Sequence, residues 1–156
     1  MNREFRISVI GAGNASPSEI ELAEAVGSAL GREGAVVITG GLGGVMEAAS
    51  RGCVEAGGVS VGLLPGSDPA AANRWVTLPL PTGLGEARNA LVVRSGEAVV
   101  AVGGGWGTLS EIALAKKMGR EVALLGEPPW ELSLPRMTTG EEAAQWALER
   151  ARESRE

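Results

Sequence analysis

Three apolar runs in this chain stop abruptly in glycine, and each stands just before a stretch with helical character. "FRISVIGAG" (5–13), "AVVITGG" (35–41) and "EAVVAV" (97–102), the last running into "GGGWG" (103–107), are rich in β-branched residues and apolar on both faces. A strand apolar on both faces must be covered on both sides. Where such strands alternate with helices, the sheet is parallel. The predicted fold is therefore α/β: a single Rossmann-like, doubly wound parallel sheet with helices on both faces, spanning residues 1–156 as one domain.

The intervening segments fit that pattern. A helix is predicted over 16–34, with Ser16 as its cap, Pro17 in its first position and Glu19 closing a capping box. A second covers 44–58 and closes on Gly57 and Gly58. "VSVGLLPG" and "RWVTLPL" read as further strands. Helix 83–96, strand 97–102, helix 107–119 and strand 121–126 follow, and the proline-rich turn "EPPWELSLP" leads to a last amphipathic helix beginning at "TTGEE". The helices 44–58 and 83–96 carry more small and apolar residues than one sheet face requires, which, together with the family resemblance described below, predicts a homodimer, or a multiple of dimers, packed through them.

Composition removes several classes of function. The chain has no His and no Tyr, and its single Cys has no His partner, which excludes zinc sites and Ser-His-Asp or Cys-His catalysis. Acid–base chemistry is left to carboxylates, to water and to arginine as a fixed charge. A net charge of −5 with no basic block predicts no nucleic-acid partner. No apolar stretch is long enough to span a bilayer, so no membrane partner is expected. The chain enters a strand almost at once and has one cysteine, which together predict no leader peptide and a cytoplasmic location. No metal and no resident cofactor are expected.

Ligands in doubly wound sheets bind at the carboxyl ends of the strands. Glycine-rich turns stand at three of those ends: "GAGNAS" (11–16), "GGLGG" (40–44) and "GGGWG" (103–107). Each removes side chains where a helix begins, leaving backbone N–H groups and the positive end of the helix dipole to receive an anion. A dinucleotide is disfavoured, because Ser16 stands where G-x-G-x-x-G needs its third glycine and the second strand ends without an acidic residue. No P-loop motif is present.

The stretch "GEARNALVVRSGEAVVAVGGGWGTLSEIALAKKMG" resembles the core of the LOG-like (SLOG) superfamily, whose signature is P-G-G-x-G-T-x-x-E preceded by an R-K pair on the previous helix. "GGLGGVME" is similar to a second motif of that family. The resemblance implies a Rossmann-like homodimer that binds a small phosphorylated ligand through Gly13, Gly41, Gly43, Gly44, Gly104, Gly105, Gly107 and Thr108, with Arg88 and Glu111 as a catalytic pair. Family enzymes hydrolyse the N-glycosidic bond of a nucleoside 5′-monophosphate to free base and ribose 5-phosphate. Another branch resembles a molybdenum-cofactor carrier protein. Asn89 in place of the motif lysine and Gly103 in place of its proline look more like the carrier branch. The reading first favoured is nucleotide binding with hydrolysis, and the alternative is a non-catalytic carrier of a molybdopterin-type ligand. The lysine-decarboxylase label attached to such proteins finds no support, since a pyridoxal-phosphate enzyme needs a lysine in its pocket. Lys116 and Lys117 lie at the far end of a helix that starts at the site.

Glu111 also has a purely structural reading. "TLSE" (108–111) is a capping-box pattern with Thr108 as the cap. The spacing from Arg88 favours the functional role instead. Arg88 is placed on the apolar face of its helix by Leu84 and Leu91, where it needs an anionic partner. Trp106 and Met46 read as packing residues, Trp106 with the option of forming a pocket wall, and Cys53 as a small core residue.

Overall fold

The computed structural model describes residues 3–156. One seven-stranded, wholly parallel sheet runs through it in the order β4-β3-β2-β1-β5-β6-β7, with β1 at Arg6–Gly11, β2 at Val36–Thr39, β3 at Val59–Leu64, β4 at Leu78–Pro81, β5 at Ala98–Val102, β6 at Glu121–Leu125 and β7 at Arg136–Met137. Five α-helices connect or follow them: α1 Pro17–Arg32, α2 Val45–Glu55, α3 Arg88–Ser95, α4 Trp106–Lys117 and α5 Gly140–Glu153. The expected fold class is thus the observed one. β7 was not anticipated. It is two residues long, pairs with the end of β6, and has no apolar run to announce it.

Strand β5 is buried along its whole length, as its unbroken apolar sequence requires. One face of the sheet is covered by α1, α2 and α5 around Val9, Val26, Leu30, Val37, Val100 and Leu148. The other is covered by α3, α4 and the segment around Trp130–Leu134, over Ile10, Ile38, Val99, Ile112 and Leu124. Crossovers from β1 through β3 lie on the first face and those around β5 on the second. The direction of winding therefore switches between the neighbouring strands β1 and β5.

Helices α1 and α2 meet backbone to backbone. A Cβ added to Gly27 would fall on the Ala49 carbonyl, and one added to Gly52 on the Glu24 carbonyl. The small residues Ala49 and Gly52 of α2 are thus used within the chain, against α1. Among the described residues, the exposed large apolar side chains are Val59 on β3, Leu78 and Leu80 on β4, Leu84 in the turn that follows, Leu91 on α3 and Trp106 on α4.

Helix starts follow the sequence with two exceptions. Ser16 caps α1 in a full capping box with Glu19, as expected. The cap of α5 is Thr139, whose hydroxyl accepts from the Glu142 amide. α3 begins only at Arg88, after a 3₁₀ turn over Gly85–Ala87, so Leu84 lies outside it. α4 begins at Trp106, and its cap is Gly105. Thr108 and Glu111 therefore form no capping box: both already lie inside the helix.

Candidate functional site

All three glycine-rich turns stand at the carboxyl edge of the sheet, after β1, β2 and β5. Those after β1 and β5 flank the point where the winding direction switches, the place where open α/β sheets have their ligand crevice. The turn after β2 packs onto the first. The Val45 amide, first in α2, donates to the Ala12 carbonyl (3.1 Å), and a Cβ on Gly44, which has φ +65°, would strike the Ala12 and Gly13 carbonyls. Gly41 is buried with its amide on the Thr39 hydroxyl (3.0 Å), so it shapes the loop. Gly13 is exposed, and Gly43 and Gly44 are half-buried.

The start of α4 is different. Its cap, Gly105, has no side chain, and no cap hydrogen bond is made. The amides of Trp106, Gly107 and Thr108 head the helix with neither a capping side chain nor a neighbouring loop over them, and the dipole adds positive character there. A Cβ on Gly105 or Gly107 would meet nothing within 4 Å, so nothing crowds the backbone at these two positions. Gly104 and Thr108 fit together: a Cβ on Gly104 would lie 2.6 Å from the Thr108 side chain, which is itself buried.

Gly103 explains one departure from the family pattern. Its φ is +55°, its amide donates to the Leu125 carbonyl (2.8 Å), and the Glu19 carboxylate occupies the place of a Cβ. Proline could satisfy none of the three conditions, having φ near −65° and no N–H.

Arg88 and Glu111, predicted as a pair, line one cavity of about 140 Å³ together with Val9, Ile10, Gly11, Gly40 and Met46. Both side chains are buried, Arg88 at 9% and Glu111 at 8% exposure. Arg88 is buried as expected, but not beside the two leucines. Leu84 and Leu91 are exposed, and the arginine lies instead on the face of α3 that buries Val92. Its Nη1 donates to the Asn89 side-chain oxygen and its Nη2 to the Gly40 carbonyl (3.3 Å). Gly40 must lack a side chain for this, since a Cβ would sit 2.8 Å from Nη2. The buried Nε finds no acceptor among the described residues.

No hydrogen bond or ion pair joins Glu111 to Arg88, so the two charges share a cavity without neutralising each other by contact. Burial pushes the Glu111 carboxyl up to about 7, with the Arg88 guanidinium pulling it down less strongly. Burial likewise lowers Arg88 from its usual value, opposed by Glu111. Near neutral pH the site therefore holds a fixed cation beside a carboxyl close to its titration point. Such a carboxyl can take or give a proton, and its protonated form leaves the arginine free to attract an anion.

One contributor, Asn73, had no local sequence signal, whereas Met46 and Gly40 lie within the "GGLGGVME" motif. Met46 and Gly40 line the cavity. Asn73, in the loop between β3 and β4, fastens that loop over the second glycine turn through Nδ2 to the Leu42 carbonyl (2.8 Å) and its own amide to the Gly41 carbonyl (2.9 Å). Among the described residues no cluster of His, Cys, Asp and Glu could hold a metal ion, and no helix is long and apolar enough to cross a membrane. Lys116 and Lys117 are exposed in the last turn of α4, away from the cavity. A larger groove, about 840 Å³, lies among Arg3, Arg6, Glu97 and Arg155 at the amino edge of the sheet. There Arg155 pairs with Glu97, so its charges serve the fold.

Similar proteins share this architecture. The chain is 40% identical over 144 residues to an uncharacterized protein of Archaeoglobus fulgidus, covering 92% of this chain and 95% of that one. Among solved structures, the molybdenum cofactor binding protein of Rippkaea orientalis superposes with a TM-score of 0.88 at 34% identity, covering 94% of this chain and 97% of the other. The molybdenum cofactor carrier protein of Chlamydomonas reinhardtii does so at 0.86 and 31%, covering 95% and 98%. The SLOG cluster4 family matches residues 4–154, nearly the whole chain, and the protein belongs to that family.

Proposed function

We propose that the protein binds a phosphorylated pterin of the molybdenum-cofactor type, as cargo, with the ligand's phosphate on the open start of α4. The observation that carries this is the uncapped set of amides at Trp106–Thr108, at the switch between β1 and β5, on the helix whose Glu111 shares a cavity with a buried arginine that has an unused donor. Nothing in the fold itself uses this positive potential. The pterin, rather than another phosphate ester, is supported by the two carrier-type proteins above, which this chain matches over almost its full length. Asn89 supports the same reading: it accepts from Arg88 where a lysine would add a second cation. No molybdenum ligands are required of the protein, since the metal travels with its own organic ligand.

A hydrolytic reading has one specific observation in its favour. Glu111 and Arg88 face a common cavity, and a carboxyl near 7 can orient water and stabilise oxocarbenium character on a ribose. Hydrolysis of a nucleoside 5′-monophosphate to base and ribose 5-phosphate would then occur at the same place. One paired experiment separates the two readings: anaerobic equilibrium dialysis with the molybdenum cofactor, beside a screen of nucleoside monophosphates for released base. The carrier reading expects retention of the cofactor and no released base. Release of base that is lost in E111Q would establish the hydrolase instead.

We further infer a homodimer in the cytoplasm that pairs through the exposed leucines of β4, the turn after it and α3, a surface of the kind that marks subunit contacts. Its partner is a small ligand and not a nucleic acid, in keeping with the net charge of −5.

A further inference from the structure

Trp106 has the largest exposed apolar side chain near the site, and the fold gives it nothing to do. It is 85% exposed, against 36–53% for the other large apolar residues on the surface, and it packs against neither core cluster. The other three tryptophans are half-buried or paired: Trp130 packs on the second core cluster, Trp146 on the first, and Trp75 lies under the Arg74 guanidinium. Leaving an indole in water forgoes the burial that so large a side chain normally provides.

Its position is specific. Trp106 is the first residue of α4, so its own amide belongs to the uncapped set at the helix start. Glycines flank it on both sides, and a Cβ on either would meet nothing within 4 Å, which leaves room for a flat group beside the indole. Independently of the helix start, the buried Nε of Arg88 lacks an acceptor in the cavity that Arg88 shares with Glu111, a residue of the same helix as Trp106.

We infer that the Trp106 indole is the stacking platform for the planar ring of the phosphorylated ligand, so that one turn of α4 holds the phosphate by its amides and the ring by its first side chain. This rests on the reading that the site takes a phosphorylated ligand, and it adds the requirement that the ligand carry a flat aromatic ring. Stacking of this kind tolerates different rings, because every base or pterin presents a π-face. Discrimination among rings must then come from elsewhere in the crevice.

The experiment measures the binding of neopterin monophosphate, adenosine 5′-monophosphate and ribose 5-phosphate by calorimetry to the full-length wild type, W106A and W106F. The two ring-bearing phosphates should bind W106A about ten- to a hundred-fold more weakly than the wild type, and W106F should restore most of the loss. Ribose 5-phosphate, which has the phosphate and no aromatic ring, should bind all three proteins alike. Ring-bearing ligands should also quench tryptophan fluorescence in the wild type and not in W106F. Equal binding of a ring-bearing phosphate by wild type and W106A would overturn the inference while leaving the phosphate site intact. So would a change of oligomeric state in W106A by light scattering, which would make the indole a subunit contact. Failure of the wild type to bind any of the three would overturn the phosphate site itself, and this inference with it.

Discussion

Replacing Glu111 with Gln should make the protein more stable above neutral pH, and the size of the gain follows from the burial of the carboxyl. In the folded chain Glu111 is raised from 4.5 to about 7 by desolvation, against the smaller pull of Arg88. A raised carboxyl holds its proton longer in the folded state than in the unfolded one. Stability then falls as pH rises from 4.5 to about 7 and levels off above that. The displacement corresponds to about 3 kcal/mol lost in full above neutrality. Gln has the shape of the protonated acid and never ionises, so E111Q escapes the loss. The advantage of E111Q over wild type should grow from about 1 kcal/mol at pH 5 to about 3 kcal/mol at pH 8. At the alkaline end this is a rise in Tm of about 6 to 12 °C for a domain of this size. Denaturant titrations of both proteins across that range measure the difference directly, and every other titrating group cancels between them. A gap that stays constant from pH 5 to pH 8 would refute the reasoning, since Glu111 would then ionise as an exposed carboxylate does.

Other expectations follow from the same geometry. Affinity for a phosphorylated ligand should weaken as pH rises through 7 in the wild type, as an ionised Glu111 offsets Arg88, and the weakening should be smaller in E111Q; parallel pH profiles in calorimetry would contradict this. Gly103→Pro, which would restore the family's own residue, should cost about 3 kcal/mol or more, because it removes the bond to the Leu125 carbonyl and cannot adopt φ +55°; a chemical denaturation curve close to wild type would count against it. Gly52→Ala should cost about 1 to 3 kcal/mol by forcing α2 away from the Glu24 carbonyl, read from the shift in denaturation midpoint. Light scattering at micromolar concentration should give a dimer or a multiple of dimers, and Leu91→Asp should weaken it; a monomeric wild type would remove that proposal.

Much of this architecture is legible in the sequence because its signals are local. An apolar run that ends in glycine before a helix declares both its strand and its crossover, and three such units place the ligand edge. That Arg88 and Glu111 share a cavity was readable only through the family motif, because the two residues lie on different helices. Elsewhere a local pattern competes with a tertiary one. "TLSE" has the form of a capping box, yet the backbone turns at Gly103 and Gly104, both at positive φ, and starts α4 at Trp106, drawing Thr108 into the core. Leu84 and Leu91 suggested an apolar face, but the helix begins at Arg88 and its buried face contains Val92. Asn73 gave no signal at all, since its role is a contact with Gly41 and Leu42 across a loop.

The central claim is that the open start of α4 receives the phosphate. Amide NMR of the uniformly labelled protein, titrated with neopterin monophosphate, tests it at the level of the individual donors. The account predicts that the largest shifts fall on the amides of residues 104–108, with smaller ones at Gly43 and Gly44, and that the Arg88 Nε–H signal moves with them. Saturable shifts centred instead on the start of α5, or on the amino edge of the sheet around Arg6 and Glu97, would contradict it.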